Sequence, residues 1–268
     1  MAHIASVLSF SPVPSEVIDP TVNGTISILK SAAAQPTVKN FVLTSSSYAA
    51  VWPNPNVECD IGEDVWNDAS VEKAFNLPES DPAKGWHVYC ASKVFQERAA
   101  WKFMEDEKPG FVMNSIMPNT TFGPILDPAQ FASTAGMLRE LYRGNWAAFC
   151  MILPRKSLPF YISSYVLDST LVITEWFVDV RDVAQLHVHC LTSPSLANGG
   201  ARIWAAHHPF NTNDILQLMR KLYPGKTFLP DVEGLGRDLT HIDNKRGTEL
   251  LGSWISFEEC IKANTEGL

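Results

Sequence analysis

Tyr89 and Lys93 stand four residues apart in Tyr89-Cys90-Ala91-Ser92-Lys93. On a helix this spacing places both on one face, one turn apart. The pattern runs on through Lys93-Val94-Phe95-Gln96-Glu97-Arg98-Ala99-Ala100-Trp101, which predicts a helix to about Glu107. An ammonium beside a phenol favours the ionised phenol. The pair therefore predicts a tyrosine able to give its proton to a carbonyl oxygen at neutral pH. Making an alcohol from a carbonyl needs two further parts, a hydride donor and a polar group that holds the oxygen. Ser46, in Thr44-Ser45-Ser46-Ser47, stands where a strand-end serine can hold that oxygen, with Ser47 the near alternative. A Tyr-x-x-x-Lys spacing recurs in many unrelated helices. The order strand, serine, then Tyr-x-x-x-Lys helix is far more specific.

These residues need a sheet whose strands end beside a helix. His3 to Val7 reads as the end of a buried strand, Ser11 to Pro20 as a loop, and Thr21 to Ala34 as a helix with Val22, Ile26, Leu29 and Ala33 at helical spacing. Val38 to Thr44 is a β-branched and aromatic run of the parallel-strand type, with its serines at the carboxyl end, where open α/β sheets bind ligands. Residues 51–85 read as a long loop with a short helix near Val71 to Phe75. Phe111 to Met117 is a strand that turns at Pro118-Asn119-Thr120-Thr121-Phe122-Gly123-Pro124, and Thr134 to Tyr142 is helical. Phe177 to Val180 and Ala201 to Ala206 read as strands. Helices follow from Arg181 to Leu191, from Thr212 to Leu222 with Asn213 or Thr212 as cap, and from Ser256 to Glu266. The alternation predicts an α/β fold with a doubly wound parallel sheet.

With these motifs in view, the chain resembles the extended short-chain dehydrogenase/reductases, and most of all their fungal aldehyde and ketone reductases, relatives of plant dihydroflavonol reductases. The matching pieces run in family order over nearly the whole chain: Ala2-His-Ile-Ala-Ser6, Asn23-Gly-Thr25, Phe41 to Ser46, Tyr89 to Lys93, Ala99-Ala-Trp-Lys-Phe103, Pro118 to Pro124, Trp176 to Asp182 and Arg220 to Pro224. The resemblance implies a Rossmann-like fold with a small C-terminal α/β substrate-binding part, and NADPH in preference to NADH as hydride donor. It implies Ser46, Tyr89 and Lys93 as catalytic groups, acting on a small-molecule carbonyl substrate. Ala5, Ser6, Pro118, Asn119, Thr120, Thr121 and Ser133 would line the cofactor together with Tyr89 and Lys93, the lysine holding a ribose.

Two departures from the family pattern stand out. The family places a βαβαβ half, with a Gly-x-x-Gly-x-x-Gly pyrophosphate turn, before the position of His3. At about 30 residues per βαβ unit, roughly 60 to 90 residues would precede the start seen here, and a chain without them is expected to hold the cofactor poorly. The second departure is the segment 146–175, where the family has a short loop. It is apolar, without clean period, and broken by Pro154, Pro159 and Asp168. A late start codon and a translated intron would explain both. A transcript that begins at Met1 and encodes 146–175 would sink that explanation. The expected organisation is a partial dinucleotide-binding part at 1–145, an atypical insertion at 146–175, and the rest of the sheet with the substrate-binding part at 176–268. The rival readings are a sugar-nucleotide epimerase or dehydratase on the same fold, and a non-catalytic binding protein that kept the triad.

Composition narrows the class further. A net charge of -8, with no Lys/Arg run, argues against a nucleic-acid partner. Five scattered cysteines with no CxxC pair argue against a disulfide framework or zinc site and fit a reducing cytoplasm. No apolar run has the length and continuity of a membrane span. His187 and His189 point to different faces of a helix, so neither they nor His207-His208 read as metal ligands. Asp179, Arg181 and Asp182 read as a helix-start cluster. Trp86 and Phe122 are open to either substrate contact or core packing.

Overall fold

The computed structural model describes residues 1–145 and 174–266. The predicted insertion lies outside the described residues except for Thr174 and Glu175, which begin a strand. The main sheet holds β1 (Ala2–His3), β2 (Asn40–Thr44), β4 (Val112–Pro118) and β7 (Arg202–Ala205), all parallel, in the order β1-β2-β4-β7.

Parallel strands joined by helical crossovers are covered on both faces. Successive residues of β2 show this. Phe41 and Leu43 pack with Leu29 and Ala32 of α1 (Pro14–Ala33) and with Ala100 and Phe103 of α3 (Lys84–Glu107). The predicted short helix is α2 (Asp68–Asn76), whose Ala74 packs with Val88 and Ala91 of α3. Val42 points the other way and packs with Ile116, Leu186 and Ile203, Leu186 lying on α5 (Val180–Thr192). A second sheet holds β5 (Thr120–Phe122), β6 (Thr174–Asp179) and β8 (His208–Asn211). Its core of Phe122, Phe177 and Phe210 is closed by α4 (Ser133–Tyr142), α6 (Thr212–Leu222) and α8 (Phe257–Thr265). A small parallel pair, β3 (Glu58–Ile61) and β9 (Leu239–Ile242), joins the predicted long loop to the C-terminal part. The doubly wound α/β prediction agrees with this topology.

Several local expectations need correction. The first strand ends at His3; Ile4 is exposed and residues 4–12 form a loop. Helix α1 starts at Pro14, where a proline at the first turn loses no helical bond, and it runs through Pro20. The cap of α6 is Asn211, which forms a capping box with Asp214 at 3.2 and 2.9 Å, so neither Thr212 nor Asn213 is the cap. Strands β3, β8 and β9 and helix α7 (Lys245–Leu251) carry too weak a periodicity to be expected from the sequence. Among the described residues, no helix is long and apolar enough to cross a membrane.

Candidate active site

Helix α3 is the frame of the site. Its central turns are buried, and it ends at Lys108, a left-handed residue at φ 44 whose N–H bonds Met104 O. Tyr89 and Lys93 fall on one face as predicted, and Glu97 continues that face by one more turn. Strand β2 runs alongside. Its end is held to β4 by Ser45 N donating to Ile116 O at 2.8 Å. Ser46 then caps a short 3-10 turn, Ser47–Ala49, its Oγ accepting from Tyr48 N at 3.2 Å.

The three strand-end serines take different roles. Ser45 Oγ donates to Glu97 at 2.7 Å. Ser46 stands close enough to the Tyr89 hydroxyl to lower its pKa. Ser47 is buried in the 3-10 turn. Of the two candidates left open, the geometry therefore brings Ser46 to Tyr89.

The expected electrostatics need revision. Burial pushes the Tyr89 phenol up to about 12, and nearby Ser46 only partly opposes it. Burial also lowers Lys93 to about 8, against the attraction of Glu97. Desolvation governs both groups, and Lys93 is not among the influences on the phenol. At neutral pH Tyr89 is a protonated phenol, which is the form that can deliver a proton.

Behind this face lies a buried ionic hub. Glu97 accepts from Ser45, from Ser115 at 2.6 Å, from Trp101 at 3.2 Å, and from Arg202 Nε at 2.8 Å and Nη2 at 3.2 Å. Arg202 also donates to the carbonyls of Glu63 and Val65 and lies 3.9 Å over the Trp66 ring. Trp101 belongs to α3 itself. Ser45 at the end of β2, Ser115 of β4 and Arg202 of β7 each tie a different strand to the carboxylate, so the hub fixes the helix against the main sheet.

The opposite wall is the segment after β4, which the sequence predicts as a turn but which continues from Asn119 into strand β5, paired with β6. Asn119 Oδ1 accepts from Thr120 N at 2.7 Å, Thr121 Oγ1 donates to Asn119 O at 3.0 Å, and Thr121 O accepts from Thr134 Oγ1, beside Ser133. Ala132 and Ser133 are left-handed at φ 59 and 51 where α4 begins. Pro118 closes β4 in register with Ala205. Glu175 bridges the walls: it accepts from Tyr48 OH at 2.6 Å and lies near enough to the Asn119 side chain to have its pKa lowered by it. Burial first, and then Asp238, raises Glu175 to about 8. A carboxyl with a raised folded-state pKa contributes stability that is complete below its unfolded value and is lost as pH rises through the folded one. Glu175→Gln is therefore expected to flatten the fall of stability between about pH 4.5 and 8. Urea midpoints measured across that window check it; an unchanged slope contradicts it.

Phe10, Trp86 and Tyr48 flank Tyr89 with ring centroids 5.1, 6.2 and 6.1 Å from its ring, and Trp52 lies 6.0 Å from Tyr48. Trp86 therefore belongs to the site, whereas Phe122 is core, packed against Phe210. Asp179 caps α5 and pairs with Arg181, as predicted.

The cofactor expectation can be tested on these groups. Ser6 Oγ is buried and has no hydrogen-bond partner among the described residues. Lys93 is 3 % exposed, and of its three N–H groups one is given to Gln96. An orphaned hydroxyl and an ammonium with donors to spare fit the hydroxyl-bearing ribose half of a dinucleotide. The Gly-x-x-Gly-x-x-Gly turn that holds the pyrophosphate half in the family does not occur in the given sequence.

Sequence reasoning missed Phe10, Tyr48, Gln96, Glu97, Glu175 and Arg202. Glu97 and Gln96 could have been found by extending the Tyr89–Lys93 helix one turn. The others are brought in by long-range contacts and leave no local signal.

A parallel sheet with a serine at a strand end and a Tyr-x-x-x-Lys helix beside it defines a Rossmann-like reductase. No protein-family model matches the sequence. Aldehyde reductase 2 of Sporidiobolus salmonicolor is 40% identical over 269 residues, covering 98% of this chain and 72% of that protein. An NAD-dependent epimerase/dehydratase of Aspergillus terreus is 34% identical over 97% of this chain and 72% of its own length. The crystal structure of yeast methylglyoxal/isovaleraldehyde reductase, complexed with NADPH, superposes with a TM-score of 0.72 over 98% of this chain and 73% of that one, at 22% identity, which supports the fold. The chain belongs to the extended short-chain dehydrogenase/reductase family.

Proposed function

We propose that this chain reduces a small-molecule aldehyde or ketone to an alcohol, with NADPH as the reductant. The observation that carries this reading is the closeness of Ser46 to the Tyr89 hydroxyl, with buried Lys93 one turn along the same helix. NADPH, held by Lys93 and Ser6 at its ribose half, would supply the hydride when bound. Ser46 holds the carbonyl oxygen, and the Tyr89 phenol gives it a proton as negative charge develops. Lys93 stabilises the phenolate that remains and holds a ribose hydroxyl. The aromatic wall of Phe10, Tyr48, Trp52 and Trp86 excludes water from the reacting oxygen and suits an apolar substituent.

On this reading Ala5 and Ser6 lie along the cofactor, with Pro118, Asn119, Thr120, Thr121 and Ser133 on its nicotinamide side. The similarity to an aldehyde reductase favours reduction over the epimerase reading. Ser46→Ala is expected to lower turnover of an aldehyde on the order of 10²–10³-fold, with NADPH binding, read by fluorescence titration, little changed. Equal turnover in Ser46→Ala and the parent would remove Ser46 from the mechanism.

A further inference from the structure

Lys93 is held by a chain of hydrogen bonds that crosses three elements. Its Nζ donates to Gln96 Oε1 at 3.2 Å. Gln96 Nε2 donates to Thr25 Oγ1 of α1 at 2.9 Å. Thr25 Oγ1 donates to Thr21 O at 3.0 Å and lies 3.0 Å from His3 Nε2 of β1. The directions are mutually consistent. An ammonium has only donors, so Gln96 must turn its carbonyl oxygen to Lys93 and its amide N–H to Thr25. Thr25 has spent its hydrogen on Thr21, so it accepts from both Gln96 and His3, which places a proton on His3 Nε2.

Gln96 is 1 % exposed and Thr25 is 0 % exposed. Neither has water to fall back on, so loss of one link leaves buried polar groups unpaired. The motif Tyr-x-x-x-Lys says nothing about Gln96, which sits one turn beyond Lys93 and reaches it from the α1 side of the helix.

We propose that Gln96, fixed by Thr25 and His3, is a positioning residue for Lys93: it takes one ammonium N–H and leaves the other two for the ribose and the phenol. This rests on the role given to Lys93 above, but its test does not depend on turnover. Among the described residues, the charged or titratable groups that act on the ammonium are Glu97 on its own helix and His3 on β1, with Arg202 of β7 holding Glu97. Replacing Gln96 changes none of these groups.

The test is an NMR titration of the full chain labelled with ¹³Cε-lysine, with the Lys93 signal assigned by its absence in Lys93→Arg. Gln96→Met removes an acceptor from the charged form and is expected to lower the Lys93 midpoint. Gln96→Glu adds an opposite charge at the same reach and is expected to raise it by about one unit or more. Thr25→Val, which lets Gln96 swing, should move it in the direction of Gln96→Met. Should Gln96→Met fail to fold, the direction of the Gln96→Glu shift decides. A Lys93 midpoint that stays within about 0.3 units of the parent in Gln96→Glu, or one that moves down, overturns the proposal. That outcome leaves the reductase reading standing, because the latter is judged by the Tyr89 and Ser46 variants.

Discussion

Tyr89→Phe is expected to lower the turnover of carbonyl reduction by about 10²–10⁴-fold, the usual worth of a positioned proton donor. The phenyl ring keeps its packing against Phe10, Tyr48 and Trp86, so the fold and the aromatic wall persist. What disappears is the acidic proton that the site aims beside Ser46. The effect should fall on kcat and kcat/KM together, because the interaction is made in the transition state and not in substrate binding. The raised phenol, at about 12, adds a pH signature. Activity of the parent should persist through mildly alkaline pH as far as Tyr89 is concerned, and its decline near pH 8 should follow Lys93, whose ammonium deprotonates there. Steady-state kinetics across neutral and alkaline pH on the parent and on Tyr89→Phe check both statements.

The second large effect concerns stability. Arg202→Met is expected to destabilise the fold by about 3–5 kcal/mol, because it leaves the Glu97 carboxylate buried without its counter-charge. Glu97 is fully buried and Arg202 nearly so, whereas the pair Arg246–Glu63 is partly exposed at 45% and 25%. Loss of that outer pair should cost no more than about 1 kcal/mol. The double variant Glu97→Leu/Arg202→Met should be less damaged than the sum of its single changes, since the uncompensated charge is gone. Chemical denaturation of the set measures this, and additive losses would contradict the hub. A further consequence reaches the chemistry. Ser45 donates to Glu97 and precedes Ser46, so loosening the hub should lower turnover even in conditions where the variant remains folded.

Much of the frame is legible in the sequence. Helix α3 announces itself by length and period, β2 by a β-branched and aromatic run with serines at its end, and the family's order of motifs supplies the sheet. The parts that escape share a physical cause. Strand β3, Glu58-Cys59-Asp60-Ile61, is exposed except for Ile61, so no apolar alternation marks it. Pro14 and Pro20 read as loop punctuation, yet Pro14 begins α1 and Pro20 is carried within it. The cap of α6 lies earlier than expected because Asp214 completes the box with Asn211. In the candidate site, Ser46, Tyr89 and Lys93 are proposed from a local pattern. Arg202 reaches Glu97 across 105 residues, and Glu175 reaches Tyr48 across 127, so only the folded chain brings them together. The lysine–phenol electrostatics depart from expectation for a related reason. Spacing reports proximity, but it does not report burial, and burial is the larger influence on both groups.

The central claim is tested most directly by following the hydride. The parent chain and Tyr89→Phe are incubated with NADPH deuterated at both positions of nicotinamide C4 and an aromatic aldehyde, and the alcohol is analysed by mass spectrometry. The parent is expected to yield alcohol carrying one deuterium from the cofactor, and Tyr89→Phe to do so at a rate lower by about 10²–10⁴-fold. Labelled alcohol formed by Tyr89→Phe at the parent's rate would contradict it.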